Sequence, residues 1–287
     1  MTVLTLAGLP PVAAHTRTVS GPLWVGGLLV ATLVAAALLS LIWTPYAPAA
    51  IDVLSRLEGP SAVHWLGTDA FGRDVLSRVL AGARNALWVG FASVALGLVL
   101  GAGIGLAAAA LGGWSEEGLS RSADFLFAFP AVLTAILLAG IVGAGMASAI
   151  LAIAIFNIPV FARITRSAAA VLWRREFVRA AQGMGKSRVR ITLDHVLPNL
   201  SGLIVVQASA SFAVAILAEA ALSYLGLGIQ PPDVSWGRML YEARTYLATA
   251  PHLAVFPGLA LGVLVLGVNL LGDGLHDRFD PRLRPLR

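Results

Sequence analysis

Residues 23–43 read LWVGGLLVATLVAAALLSLIW, a run of 21 residues with no charged side chain. Coiled as a helix at about 1.5 Å per residue it extends roughly 31 Å, the thickness of a bilayer's hydrocarbon core. Only one early positive charge, Arg17, precedes it, and the apolar core of a cleavable leader is shorter, about 7–15 residues. We read it as a retained first membrane helix. Composition points the same way. Hydrophobic residues make up 58% of the chain and charged residues 12%, against about 25% charged in a soluble domain, and mean hydropathy is +0.83. With so little charge to cover a core, lipid must solvate much of the surface.

Working outward, further apolar runs lie at 86–111, 125–142, 147–164, 203–225 and 253–271. The expectation is an all-α polytopic membrane protein with about six transmembrane helices. Pro130 and Pro159 fall inside the third and fourth runs, a break that membrane helices tolerate where neighbours satisfy the freed carbonyls. With both termini cytoplasmic, the 20 basic residues divide 14 inside to 6 outside, as the positive-inside rule requires. Eight of them lie in one loop, 163–199. Lys186 is the sole lysine, and the basic residues sit between apolar runs, which fits anionic headgroups and topology and argues against nucleic acid. Cysteine is absent, which excludes disulfides and thiolate chemistry. No appended soluble domain is expected. We divide the chain into an N-terminal region, 1–83, with the first helix and an external segment, and a core, 84–287, with five helices and the 163–199 loop.

That loop contains EFVRAAQGMG at 176–185, then KSRVR at 186–190 and HVLPN at 195–199. Two short helical stretches, interrupted by Gly183 and Gly185 and closed by Pro198, are expected. Glycine permits a sharp turn, and Ala180 and Ala181 let another surface approach closely. Such a basic amphipathic element either docks into a partner's groove or lies on anionic lipid. The string Gly183-Met184-Gly185-Lys186-Ser187 imitates the end of a phosphate-binding loop. The first glycine that motif requires would be residue 180, an alanine, and a helix precedes it rather than a buried strand.

Elsewhere the candidates are few. Asp69, Arg73 and Asp74, in the external segment, form either a solute or metal site or an arrangement of ion pairs and caps opening a helix at 74–83. His64, beside Trp65, reads as interfacial. Glu219 is an acid inside an apolar run, either a gate or pathway residue or a structural tie. Asn157 is a weaker candidate of the same kind, with helix–helix hydrogen bonding as its ordinary role. Gly97, Gly101 and Gly105 recur every four residues and permit close helix packing, within the chain or across a dimer. No nucleophile–His–acid set, paired-carboxylate site or metal cluster is legible, so no catalytic residue and no metal ligand is assigned.

The loop resembles the EAA loop of bacterial ABC-importer permeases, a pattern of Glu-Ala-Ala, three residues, Gly, then a stretch ending in Leu-Pro. Ala180, Ala181, Gly185, Leu197 and Pro198 match it, with His195 in the same stretch; the Glu position is Arg179. HWLGTDAFGRD at 64–74, EAALSYLGLG at 219–228 with its sequel to Trp236-Gly237, and NLLGDGL at 269–275 with Asp280-Pro281-Arg282 are similar to segments of the dipeptide, oligopeptide and nickel-type permeases. The extra first helix resembles the C-type subunit of their permease pair. The resemblance implies a bacterial inner-membrane subunit without its own ATPase site or cofactor, that moves a peptide, metal chelate, glutathione or related solute into the cytoplasm. It implies partners too: a homologous second permease, two cytoplasmic ATPases holding ATP and Mg, and an extracytoplasmic solute-binding protein. The ATPases would couple through Arg179, Ala180, Ala181, Gly185, His195, Leu197 and Pro198. An ion-coupled transporter would need paired midplane carboxylates, and an intramembrane enzyme a Ser/His or metal constellation; neither accounts for the 163–199 loop.

Overall fold

A computed structural model describes residues 21–127 and 131–279. The described elements are helical: α1 (Gly21–Ile42), α2 (Val75–Leu111), α3 (Gly113–Phe127), α4 (Ala131–Val142), α5 (Met146–Trp173), α6 (Glu176–Gly183), α7 (Arg188–Ile191), α8 (Leu197–Tyr224), α9 (Trp236–Ala243) and α10 (His252–Phe279). A π turn, Thr192–Val196, joins α7 to α8. Among the described residues five helices are long and apolar enough to cross a membrane: Gly21–Ile42, Val75–Leu111, Met146–Trp173, Arg188–Tyr224 and His252–Arg278.

The run expected as the third span is described on either side of 128–130, and how its two parts join lies outside the described residues. Its described parts are the end of α3 and the 12-residue α4, both helical. Pro130 lies outside the described residues. The second span is longer than expected. The helix expected at 74–83 and the apolar run at 86–111 are one 37-residue helix. Its start is fixed by Asp74, whose Oδ2 accepts the Ser77 N–H at 2.8 Å, a cap worth about 1 kcal/mol.

α2 and α5 form the centre of the bundle. A side chain added at Gly97, Gly101 or Gly105 would strike α5 at Asn157, Ile158 or Thr165, so the three glycines let the two backbones come together inside the chain. Pro159 is buried within α5. α1 rests on α10 in the same way, Gly26 against the backbone of Gly267 and Leu271, and Gly274 against Leu23. Three apolar clusters fill the interior. One links α1, α2, α8, α9 and α10, a second links α2, α4, α5 and α8, and the third packs the 163–199 loop against Leu106 of α2 and Leu200 of α8. The outer faces carry Trp24, Leu28, Phe91, Val99 and Leu266 in the open, the pattern of a surface solvated by lipid.

Candidate functional site

At one end of α2 the loop takes shape. α5 continues past Arg163 and Arg166 to Trp173, so the first part of the 163–199 loop is the last turns of a long helix. After Arg175, which is extended, α6 begins with Glu176 in its first turn, where a carboxylate favours the helix dipole. Val178 and Ala181 face inward and pack with Leu106, Ala169, Ile191, Val196 and Leu200. Arg179 and Ala180 are exposed.

α6 ends in a left-handed turn. Gly185 has φ of +78°; its N–H donates to Gln182 O at 2.9 Å, and the Lys186 N–H donates to Ala181 O at 3.2 Å. This paired closure requires a residue tolerant of positive φ at the Gly185 position. Ser187 then caps α7, and Lys186 Nζ lies 3.1 Å from His195 Nε2, joining the turn to the π segment. Pro198 does not close the second stretch as expected. α7 runs through the π turn into α8, with Pro198 in the first turn of α8. The wider π winding pairs the Leu197 N–H with Thr192 O and accommodates a residue that has no N–H to give. Leu197 is half-buried and Pro198 exposed.

The outer face of this element is apolar and basic. Met184 is 72% exposed, Val189 69% and Leu193 57%, interleaved with Arg179 and Arg190. Large apolar side chains that open, beside like charges, form a surface suited to burial against a partner. The stretch imitating a phosphate-binding loop follows α6, a helix, and its glycines serve the turn just described.

The opposite end of α2 holds the external candidates. Asp69 accepts the backbone N–H groups of Phe71 and Arg73 at 2.8 and 3.0 Å and pairs with Arg73 Nε at 2.6 Å. It also pairs with Arg78 Nη1. Both arginines reach Glu242 Oε2 on α9, Arg73 at 2.8 Å and Arg78 at 3.1 Å, and Arg238 adds a contact to Oε1 at 3.2 Å. Asp74 stands apart from this cluster. It caps α2 and bonds His64 Nδ1 at 3.0 Å. His64 is buried against Tyr46 rather than interfacial, because the Asp74 carboxylate gives its ring a polar partner inside. Among the described residues no three His, Cys, Asp or Glu side chains converge as metal ligands do.

Glu219 is 1% exposed. Its Oε1 accepts from Ser223 Oγ at 2.7 Å and Ser235 Oγ at 2.8 Å. Each serine oxygen in turn accepts a backbone N–H, from Ile229 and Gly237, so one carboxylate ties the end of α8 to the segment entering α9. Asn157 is buried in the α2–α5 contact, and its Nδ2 donates to Ile153 O at 2.9 Å within its own helix. Asn85 and Trp236 complete the closure of this end, bonding Val234 O and Val79 O. Sequence reasoning missed Arg78, Glu242 and Arg188. For Arg78 the available signal was an arginine in the first turns of a helix that opens behind two acids; Glu242 and Arg188 offered none.

Residues 97–285 match the model of a family described as binding-protein-dependent transport system inner membrane component. The chain belongs to that family. The permease is similar to the dipeptide transport system permease protein DppC of Alkalihalophilus pseudofirmus, 42% identical over 91% of this chain and 86% of that protein. It is similar to the glutathione transport system permease protein GsiD of Pectobacterium atrosepticum, 44% identical over 90% of this chain and 86% of that one. In solved structures it shares a fold with a chain of the inward-facing MetNI methionine ABC transporter, at a TM-score of 0.58 and 19% identity, covering 68% of this chain and 93% of that chain. The permease is therefore the inner-membrane subunit of an ABC importer, a transport component and not an enzyme. An importer of this class works with ATPase partners.

Proposed function

We propose that this permease carries a short peptide or a related small solute, such as glutathione or a metal chelate, into the cytoplasm. It does so paired with a homologous second permease, with two ATPases docked on the cytoplasmic loops and a solute-binding protein outside. The observation that carries this reading is the exposed apolar and basic face of α6 and α7, held at one end of α2 while the charge cluster of Asp69, Arg73, Arg78 and Glu242 closes the other. The names of the relatives support the solute class, and Arg179, Ala180, Ala181, Gly185, His195, Leu197 and Pro198 form the coupling element. ATP and Mg belong to the partners. ATP binding closes the ATPases, the loops move with them, and the bundle changes the side to which its cavity opens. Glu219, in this reading, keeps the outer end of α8 fixed to α9 while the inner end moves. The test is reconstitution with the partner subunits in proteoliposomes and measurement of labelled dipeptide and glutathione uptake. ATP- and binding-protein-dependent accumulation of one of them is expected; no accumulation of either overturns the solute class.

The orientation that goes with this reading puts both termini and the 163–199 loop in the cytoplasm, with 44–85 and 226–252 outside, on the strength of the 14-to-6 division of basic residues. Because the chain has no cysteine, single cysteines can be placed without background. In intact spheroplasts an impermeant thiol reagent should label Ser61→Cys and spare Ser187→Cys. The reverse pattern would invert the topology.

A further inference from the structure

We infer that Arg188 is a positioning residue that hands movement of the coupling loop to α2. The proposal rests on the reading of α6 and α7 as the ATPase-docking element and adds the route by which their displacement enters the membrane bundle. Arg188 Nη1 donates to Ala110 O at 2.7 Å and to Leu111 O at 2.8 Å. These are the last two carbonyls of α2, which no N–H of the helix itself can reach. The guanidinium thus supplies the missing donors and sets a cation at the negative end of the helix dipole. Nearly eighty residues of sequence separate the two partners, so the contact is a tertiary tie and not local capping.

What α2 joins makes the tie consequential. It is one helix of 37 residues, about 55 Å at roughly 1.5 Å per residue. Along its middle, Gly97, Gly101 and Gly105 seat it directly on the α5 backbone. At its far end Asp74 caps it, and Arg78 binds Asp69 and Glu242. A push on α7 therefore reaches the closure formed with α9 through a single rigid element. The buried cluster of Leu106, Val178, Ala181 and Ile191 holds the loop beside α2, but apolar contacts slide more readily than two directed hydrogen bonds from one planar donor. Arg188 fixes the register.

The complex reconstituted in proteoliposomes tests this with Arg188→Ala and Arg188→Lys. Three quantities separate the possibilities: retention of the ATPase on purification, ATP hydrolysis, and solute moved per ATP. Losing two hydrogen bonds to a charged donor is expected to leave ATPase retention and hydrolysis near wild type while solute per ATP falls about tenfold or more in Arg188→Ala. Arg188→Lys, which keeps the charge but not the fork, should fall between. Amide exchange at 108–112 should quicken in Arg188→Ala alone. Wild-type solute per ATP in Arg188→Ala overturns the proposal. So does loss of the ATPase from that variant, which would make Arg188 a docking residue. If the unaltered permease holds no ATPase, the reading of the loop fails first and takes this proposal with it.

Discussion

Gly185→Val should abolish most solute uptake while leaving membrane insertion intact. Gly185 sits at φ of +78° in a paired closure of α6, with its own N–H and that of Lys186 returning to Gln182 O and Ala181 O. A side chain added there meets nothing within 4 Å, so the cost is conformational and not a clash inside the chain. A β-branched residue held in the left-handed region costs about 1–3 kcal/mol. If that cost falls on the docked state alone, ATPase binding weakens roughly five- to 150-fold, at a factor of ten per 1.4 kcal/mol. The five long apolar helices lie outside the change, so membrane levels should hold. Gly185→Ala should lie between, and Gly185→Asn should come nearest to wild type, because asparagine enters this region more readily than other residues with a side chain. Arg179→Ala should do less than Gly185→Val, since Arg179 already stands where the EAA pattern has an acid. ATPase co-purification and uptake across the four variants give the ranking. Equal activity of the valine and asparagine variants would remove the turn from the coupling element.

Arg78→Ala should destabilise the permease more than any exposed charge removal. Its side chain is 4% exposed and pairs with both Asp69 and Glu242, joining the segment before α2 to α9. Removing one member of a buried ionic cluster costs about 3–5 kcal/mol, because the remaining charges lose compensation where water cannot replace it. Arg73 still bridges the same two acids at 2.6 and 2.8 Å, which places the expected loss near the lower end. A cost of about 3 kcal/mol corresponds to a fall in Tm on the order of 5–10 °C. Thermal unfolding in detergent micelles reads it, with Arg78→Lys intermediate. Glu242→Gln combined with Arg78→Ala should cost less than the two separate losses together, since both act on one network. An unchanged Tm in Arg78→Ala would show that Arg73 alone carries the tie.

The contrast between these two residues shows what the sequence could disclose. Gly185 was legible because a glycine between two amphipathic stretches has one common use, and the positive φ is local. The membrane class was legible from residues 23–43 for a similar reason, since lipid imposes length and apolarity on each helix separately. The Gly97, Gly101 and Gly105 stripe announced close packing, but only the fold assigns it to α5. Arg78 and Glu242 were not legible as partners because 164 positions separate them, and chain reversal through several helices brings them together. Arg188 was harder still. Its partners are backbone carbonyls, which leave no mark in the sequence. Pro198 misled because a π turn absorbs it.

The central claim is that the face of α6 and α7 is where this permease meets an ATPase. A cysteine at Arg179, in a chain that has none of its own, tests it with a maleimide–benzophenone photo-crosslinker, whose second end inserts into nearby C–H bonds, in membranes containing the assembled importer. The account predicts a cross-linked product containing the permease and an ATPase subunit from Arg179→Cys, and none from Ser61→Cys at the opposite end of α2. A product with the ATPase from Ser61→Cys, and none from Arg179→Cys, would contradict it.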